Sequence, residues 1–187
     1  MRIALVTIPR SGSTFYCRKL AQDYNLKNLK ELFKNEKVNI DNALRSWSKG
    51  NCVAKIFTRD FINIPNADMP LEHYENLVYG TADKIFYLYR KNTIDHIKSN
   101  LTANYLNNHS PYKEHKIIHV KVSPEDIVST FEKINLDVQR LDNVAERYPG
   151  EKVYLEDFAT KDRKYKYTSI FYNESNIQYP EDLNLSL

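Results

Sequence analysis

The segment Thr7-Ile8-Pro9-Arg10-Ser11-Gly12-Ser13-Thr14 carries the residue types of an anion cradle. Gly12 lets the backbone come close to a bound oxyanion. Ser13 and Thr14 add hydroxyl donors, and the Arg10 guanidinium brings a fixed cation whose planar fork matches phosphate or sulfate oxygens. Such a segment works only between a buried strand and a helix, where backbone N–H groups and the positive helix end converge on the ligand. A second group with chemical potential is Lys55, inside the apolar run Val53-Ala54-Lys55-Ile56-Phe57. A lysine there is costly to bury unless it reaches an anion or a carboxylate, so Lys55 is a candidate to face the same ligand.

The generic phosphate loop GxxxxGK[ST] offers a comparison. Thr7 stands at its first glycine, Gly12 at its second and Thr14 at its Ser/Thr, while Ser13 replaces the lysine. That lysine serves the outer phosphates of ATP and GTP, so its loss argues against a nucleoside-triphosphate enzyme, and Arg10 offers a cation from another point of the loop. Pro9-Arg10-Ser11-Gly12-Ser13-Thr14 after an N-terminal strand resembles the 5′-phosphosulfate loop of sulfotransferases that use 3′-phosphoadenosine-5′-phosphosulfate (PAPS).

The resemblance extends along residues 2–158 and implies several roles. In the family an arginine at a strand end and a serine on the next helix grip the 3′-phosphate. Arg90, after Ile85-Phe86-Tyr87-Leu88-Tyr89, and Ser99 match them, with a spacing one residue longer than from Lys91, so either Arg90 or Lys91 is the cation. Val153-Tyr154-Leu155-Glu156-Asp157-Phe158 is similar to a strand end that orients the cofactor loop. Lys161, Arg163, Lys164 and Lys166 match a loop that closes over the 3′-phosphate in some members. The catalytic base in one branch is a glutamate soon after the first helix, which here is Glu31, with Leu26, Leu29 and Leu32 anchoring the return of the chain and Phe33 packing beneath the site. Another branch uses a histidine, so His73, His96, His109, His115 and His119 stay open. The implied cofactor is PAPS, the product adenosine 3′,5′-bisphosphate, the acceptor a small-molecule or carbohydrate hydroxyl or amine, and no metal takes part. The implied fold is that of a P-loop-like sulfotransferase.

The elements that must position these residues alternate. Apolar runs at 3–8, 52–57 and 84–89 read as strands buried on both faces, and 152–155 as a fourth. Helices are expected over 12–24, 39–49, 70–79 and 93–106. Another starts at Ser123-Pro124-Glu125-Asp126, with a cap, a first-turn proline and two acids, and ends before Pro149-Gly150. Strands alternating with helices predict an α/β domain with a central parallel sheet flanked by helices. One domain over 1–187 is expected, with 160–187 as a possible cofactor-covering loop and tail, and 105–119 as an acceptor lid.

Bulk properties narrow the class. The chain has 187 residues, a net charge of +3 and two cysteines. The charge is too small for a nucleic-acid footprint, and Cys17 and Cys52 have neither zinc-ligand nor disulfide-scaffold spacing. Cys17, near the start of the first helix, is expected to be a small packing residue. No signal-peptide layout or membrane-length apolar run is present, which predicts a cytoplasmic protein. Two other classes remain beside the sulfotransferase: a P-loop kinase acting on a small molecule, and a nucleotide-binding module without catalysis.

Overall fold

The computed structural model describes residues 1–33, 40–62, 70–106, 116–158, 167–172 and 178–179. In chain order the elements are β1 Arg2–Thr7, α1 Ser13–Asp23, β2 Lys27–Glu31, α2 Ile40–Ser48, β3 Cys52–Phe57, α3 Leu71–Val78, β4 Lys84–Tyr89, α4 Thr93–Tyr105, β5 Lys116–Lys121, α5 Pro124–Arg147, β6 Glu151–Tyr154, α6 Leu155–Phe158, β7 Tyr167–Tyr172 and β8 Gln178–Tyr179. They form two compact units, Met1–Lys91 with Leu136–Asp157, and Asn92–Asn135 with Phe158–Leu187. No helix among the described residues is long and apolar enough to cross a membrane.

The first unit is built on five parallel strands in the order β2-β3-β1-β4-β6. The apolar runs account for the centre, since β3 is buried at every position and β1 and β4 at all but their first. Alternation along the strands then sorts the two faces. Ala4, Val6, Ala54, Ile56, Ile85 and Tyr87 pack with Trp47 of α2, Val78 of α3 and Leu141 and Val144 of α5 in one core. The opposite face meets α1, where Tyr16 sets its ring edge-on to Phe86 at 6.1 Å. The predicted α/β fold with a central parallel sheet flanked by helices is what the structure shows.

Strand order reverses direction at β1, with β3 on one side and β4 on the other. In open parallel sheets the crevice beyond the strand C-termini at such a reversal is the usual ligand position. The register brings Thr7 level with Phe57 and with Leu88, so three strands end together there.

β2 has no counterpart among the strands that the sequence predicts. The end of α1 explains how it forms. Asn25 takes a left-handed φ of 51°, the Asn25 N–H bonds the Gln22 carbonyl and the Leu26 N–H bonds the Ala21 carbonyl at 2.8 Å. This doubly bonded left-handed turn satisfies the last carbonyls of the helix and redirects the chain. Lys27 then bonds the Asn51 carbonyl and begins the pairing with β3.

In the second unit β7 pairs parallel with β5 and antiparallel with β8. Leu101 of α4 packs with Val120 and Val122, joined by Ile97 and Ile127. Ser123 and Asp126 exchange hydrogen bonds at the start of α5, 2.9 Å from the Ser123 N–H and 3.1 Å from the Asp126 N–H; the cap that the sequence predicts is made reciprocal by Asp126. β5 includes Lys116 to His119, the end of the segment expected as a lid; residues 107–115 lie outside the described residues, as do Lys161, Arg163, Lys164 and Lys166.

Gly150 leads into β6 where a side chain has no room. A Cβ there would stand 2.6 Å from the Ile85 carbonyl oxygen and 2.8 Å from the Tyr87 ring. Gly150→Ala should therefore lower stability by about 1–3 kcal/mol, the range for overpacking a filled site. A urea titration reads this as a lower midpoint at unchanged slope; an unchanged midpoint would contradict the close packing of β4 on the turn into β6.

Candidate functional site

The loop between β1 and α1 is shaped by its own hydroxyls. Thr7 Oγ1 and Ser11 Oγ share a hydrogen bond at 2.5 Å, and Ser11 Oγ donates to the Ile8 carbonyl at 2.8 Å. Ser11 is fully buried, and its hydroxyl holds the turn from inside. Arg10 has φ 64° and Gly12 φ 79°. The left-handed region suits Gly12, and for Arg10 it is an uncommon conformation that surrounding contacts must hold. Gly12 caps α1, its carbonyl accepting from the Phe15 and Tyr16 N–H groups at 3.0 and 3.2 Å. Pro9 and Arg10 are half-buried, Ser13 is buried and Thr14 is exposed.

Lys55 answers the sequence question directly. Its side chain is 5% exposed, and its ammonium lies 2.5 Å from Glu31 Oε1 and donates to Thr14 Oγ1 at 2.9 Å. A buried ammonium needs such partners. Thr14 comes from the first turn of α1, Glu31 from the end of β2 and Lys55 from within β3. With its oxygen accepting from Lys55, the Thr14 hydroxyl can direct its proton to an acceptor such as a ligand oxyanion.

Glu31 reaches Lys55 through an irregularity in β2. The pairing with β3 shifts between Asn28 and Glu31, Lys30 takes φ 57°, and the Lys30 N–H bonds Asn28 Oδ1 at 2.8 Å. The bulge re-aims the strand end, as bulges beside sites commonly do. Leu29 and Leu32 pack against the core, and Phe33, 5% exposed, meets the Phe61 ring at 5.0 Å. Of the three leucines expected to anchor the return, Leu29 and Leu32 thus do so while Leu26 is not part of that cluster, and the return itself is an edge strand.

Arg90 follows β4. Its Nη1 donates to the Arg10 carbonyl at 3.3 Å, and its Nε lies 4.0 Å from Glu156 Oε1. Lys91 turns to the strand beyond. Its ammonium meets Asp157 at 2.5 Å and sits 4.8 Å over the Tyr154 ring. The hydrogen bond that the Lys91 ammonium donates to Asp157 holds it protonated above the ordinary lysine range. Of the two cations, Arg90 is therefore the one joined to the loop. Ser99 is a half-buried residue of α4 in the second unit.

The other candidates fall elsewhere. Cys17 is buried and donates to Asn28 Oδ1 at 3.4 Å, and burial pushes its thiol up to about 11, the opposite of an activated nucleophile. His73 is exposed on α3 with its ring against Tyr74, His96 is buried on α4, and His119 is exposed on β5. His109 and His115 lie outside the described residues.

Sequence reasoning foresaw Glu31 and Lys55 separately and missed their pairing and the part of Thr14 in it. The signal was the lysine itself, a buried charge that demands a partner. Comparison with known protein families and with curated proteins finds no match to this chain.

The burial asymmetry makes the ion pair testable. Lys55 is 5% exposed and Glu31 24%. Glu31→Ala leaves the deeper charge without its carboxylate and should cost about 3 kcal/mol, the lower end for a broken buried pair. Lys55→Met leaves a carboxylate that can hydrate and should cost about 1 kcal/mol. Chemical denaturation of both variants checks the order; the reverse order would contradict it.

Proposed function

We propose that this protein is a PAPS-dependent sulfotransferase, with a small-molecule or carbohydrate hydroxyl or amine as acceptor. The observation that carries the reading is the meeting of Glu31, Lys55 and Thr14 beside the loop of residues 8–12. A donor-rich surface and one carboxylate are what sulfuryl transfer asks of a protein. The donor set fits a phosphosulfate: backbone N–H groups at the start of α1, the Thr14 hydroxyl, the Lys55 ammonium and the guanidinium groups of Arg10 and Arg90. When bound, the phosphosulfate supplies a sulfuryl group: its sulfur forms a bond to the acceptor oxygen or nitrogen, the bond to the 5′-phosphate oxygen breaks, and the electron pair leaves with adenosine 3′,5′-bisphosphate.

The chain's own contribution is positioning and charge stabilisation. The α1 start and Thr14 address the 5′ side, and Pro9 and Gly12 let the backbone approach it. Arg90 addresses the 3′-phosphate. Lys55 stabilises charge on the transferring group, as Arg10 does from the loop. Glu31 accepts the acceptor's proton, and its carboxylate is held in orientation by Lys55 until that proton arrives.

The kinase reading needs an acid placed for a metal near the end of β3. Among the described residues the acid there is Asp60, which accepts the Phe57 N–H at 2.9 Å and so caps the turn that follows the strand. The sequence reading expects no metal, and a chelator tests it together with nucleotide choice.

Calorimetry should show adenosine 3′,5′-bisphosphate bound at least roughly tenfold more tightly than AMP or ATP, about the worth of one extra charged hydrogen-bonded contact. Labelled PAPS offered with a panel of alcohols, phenols, sugars and amines should give transfer that survives a chelator. Glu31→Gln should slow that transfer by about 10²–10⁴ while leaving bisphosphate affinity within about twofold. Preference for ATP with metal-dependent turnover would replace the reading with a kinase. Tight bisphosphate binding with no transfer to any acceptor would favour the non-catalytic module.

A further inference from the structure

The α6 turn after β6 touches the loop and the end of β4 with three successive residues. Leu155 lies against Gly12 so closely that a Cβ on Gly12 would stand 2.4 Å from Leu155 Cδ1. Glu156 Oε2 accepts the Lys91 N–H at 2.9 Å, and its Oε1 lies 4.0 Å from Arg90 Nε. Asp157 holds the Lys91 ammonium. Arg90, with a side chain 8% exposed, passes the connection on to the carbonyl of Arg10, the loop residue whose φ is 64°.

We propose that Glu156 is a positioning residue that aims the Arg90 guanidinium at the Arg10 carbonyl and thereby holds the loop in the shape that takes an anion. A non-glycine residue stays left-handed only while its surroundings hold it, and a guanidinium bonded to that residue's own carbonyl is such a hold. A guanidinium turns about its long side chain unless a second partner fixes it. Glu156 supplies a carboxylate charge 4.0 Å from Arg90 Nε, an ion-pair contact longer than a hydrogen bond, and its other oxygen accepts the Lys91 N–H, so the carboxylate is itself oriented. The effect on the loop stands on this geometry alone; the effect on nucleotide affinity rests on the sulfotransferase reading.

Amide hydrogen exchange in the ligand-free protein tests the positioning role. The Phe15 and Tyr16 amides report the turn, because both bond the Gly12 carbonyl. Glu156→Gln keeps the size of the side chain and an oxygen for the Lys91 N–H. Exchange at Phe15 and Tyr16 should quicken roughly tenfold or more, the worth of one hydrogen bond to a charged partner, with amides in the middle of β1 and β3 unchanged. Arg90→Lys, which keeps the charge and loses the fork, should do the same and serves if the glutamine variant fails to fold. Unchanged loop exchange overturns the proposal. So does equal quickening along the strands, which would mark a general loss of structure.

Nucleotide affinity gives the second readout. AMP carries only the 5′-phosphate that the loop receives, so Glu156→Gln should weaken AMP, and should weaken adenosine 3′,5′-bisphosphate at least as much because Arg90 also addresses its 3′-phosphate. A loss confined to the bisphosphate would place the effect of Glu156 at the 3′-phosphate and overturn the loop role. If the wild-type protein binds neither nucleotide, the sulfotransferase reading falls, and the exchange result alone decides the positioning role.

Discussion

A charged ammonium inside a parallel sheet has to be answered, and the answer organises one end of this protein. Lys55 lies in β3, a strand buried at every position. Its carboxylate partner cannot come from β1, where every residue past Arg2 is apolar or a threonine. It comes from β2, a short strand at the sheet edge whose bulge at Asn28 and Lys30 turns Glu31 onto the ammonium. Thr14 completes the coordination from the first turn of α1. One buried charge thus ties the edge strand, the central sheet and the first turn of α1 together. In the sulfotransferase reading the same charge is available to the transferring group.

The other side of the loop is held by different physics. Arg10 and Gly12 both sit at positive φ, and residues from distant sequence lie against them: Arg90 from the end of β4 bonds the Arg10 carbonyl, and Leu155 from the turn after β6 lies where a Gly12 side chain would be. The strand order makes this possible. With β1 between β3 and β4, the loop is flanked by both strand ends. Inside the loop, the hydroxyls of Thr7 and Ser11 satisfy one another and the Ile8 carbonyl, so the remaining donors are those of the backbone, Ser13, Thr14 and the cations.

The parts of this arrangement that were legible in the sequence share a strong local signal. The runs at β1, β3 and β4 are continuous and apolar, and α5 carries its cap at Ser123 and Asp126. Lys-Asn-Leu-Lys-Glu carries no such signal: one apolar residue among four polar ones defines no period, and only the turn at Asn25 and the pairing with β3 make it a strand. The strands of the small sheet were hidden for a similar reason, since their pairing partner lies far along a polar, tyrosine-rich tail. Glu31 and Lys55 were each readable as residues that needed explaining, but their contact depends on a bulge that composition does not announce. Ser11 shows the converse, because its place in a loop of ligand-facing type concealed a hydroxyl turned inward.

The central claim is that the loop between β1 and α1 receives the 5′ side of an adenosine bisphosphate while Arg90 lies beside it. The most direct measurement follows backbone amide resonances of isotope-labelled protein during titration with adenosine 3′,5′-bisphosphate. The account predicts that the largest displacements fall on the amides of residues 10–14, with Arg90 and Lys91 next and the N-terminal ends of β1 and β3 nearly still. Saturable displacements that leave residues 10–14 in place, or no saturable displacement at all, would contradict it.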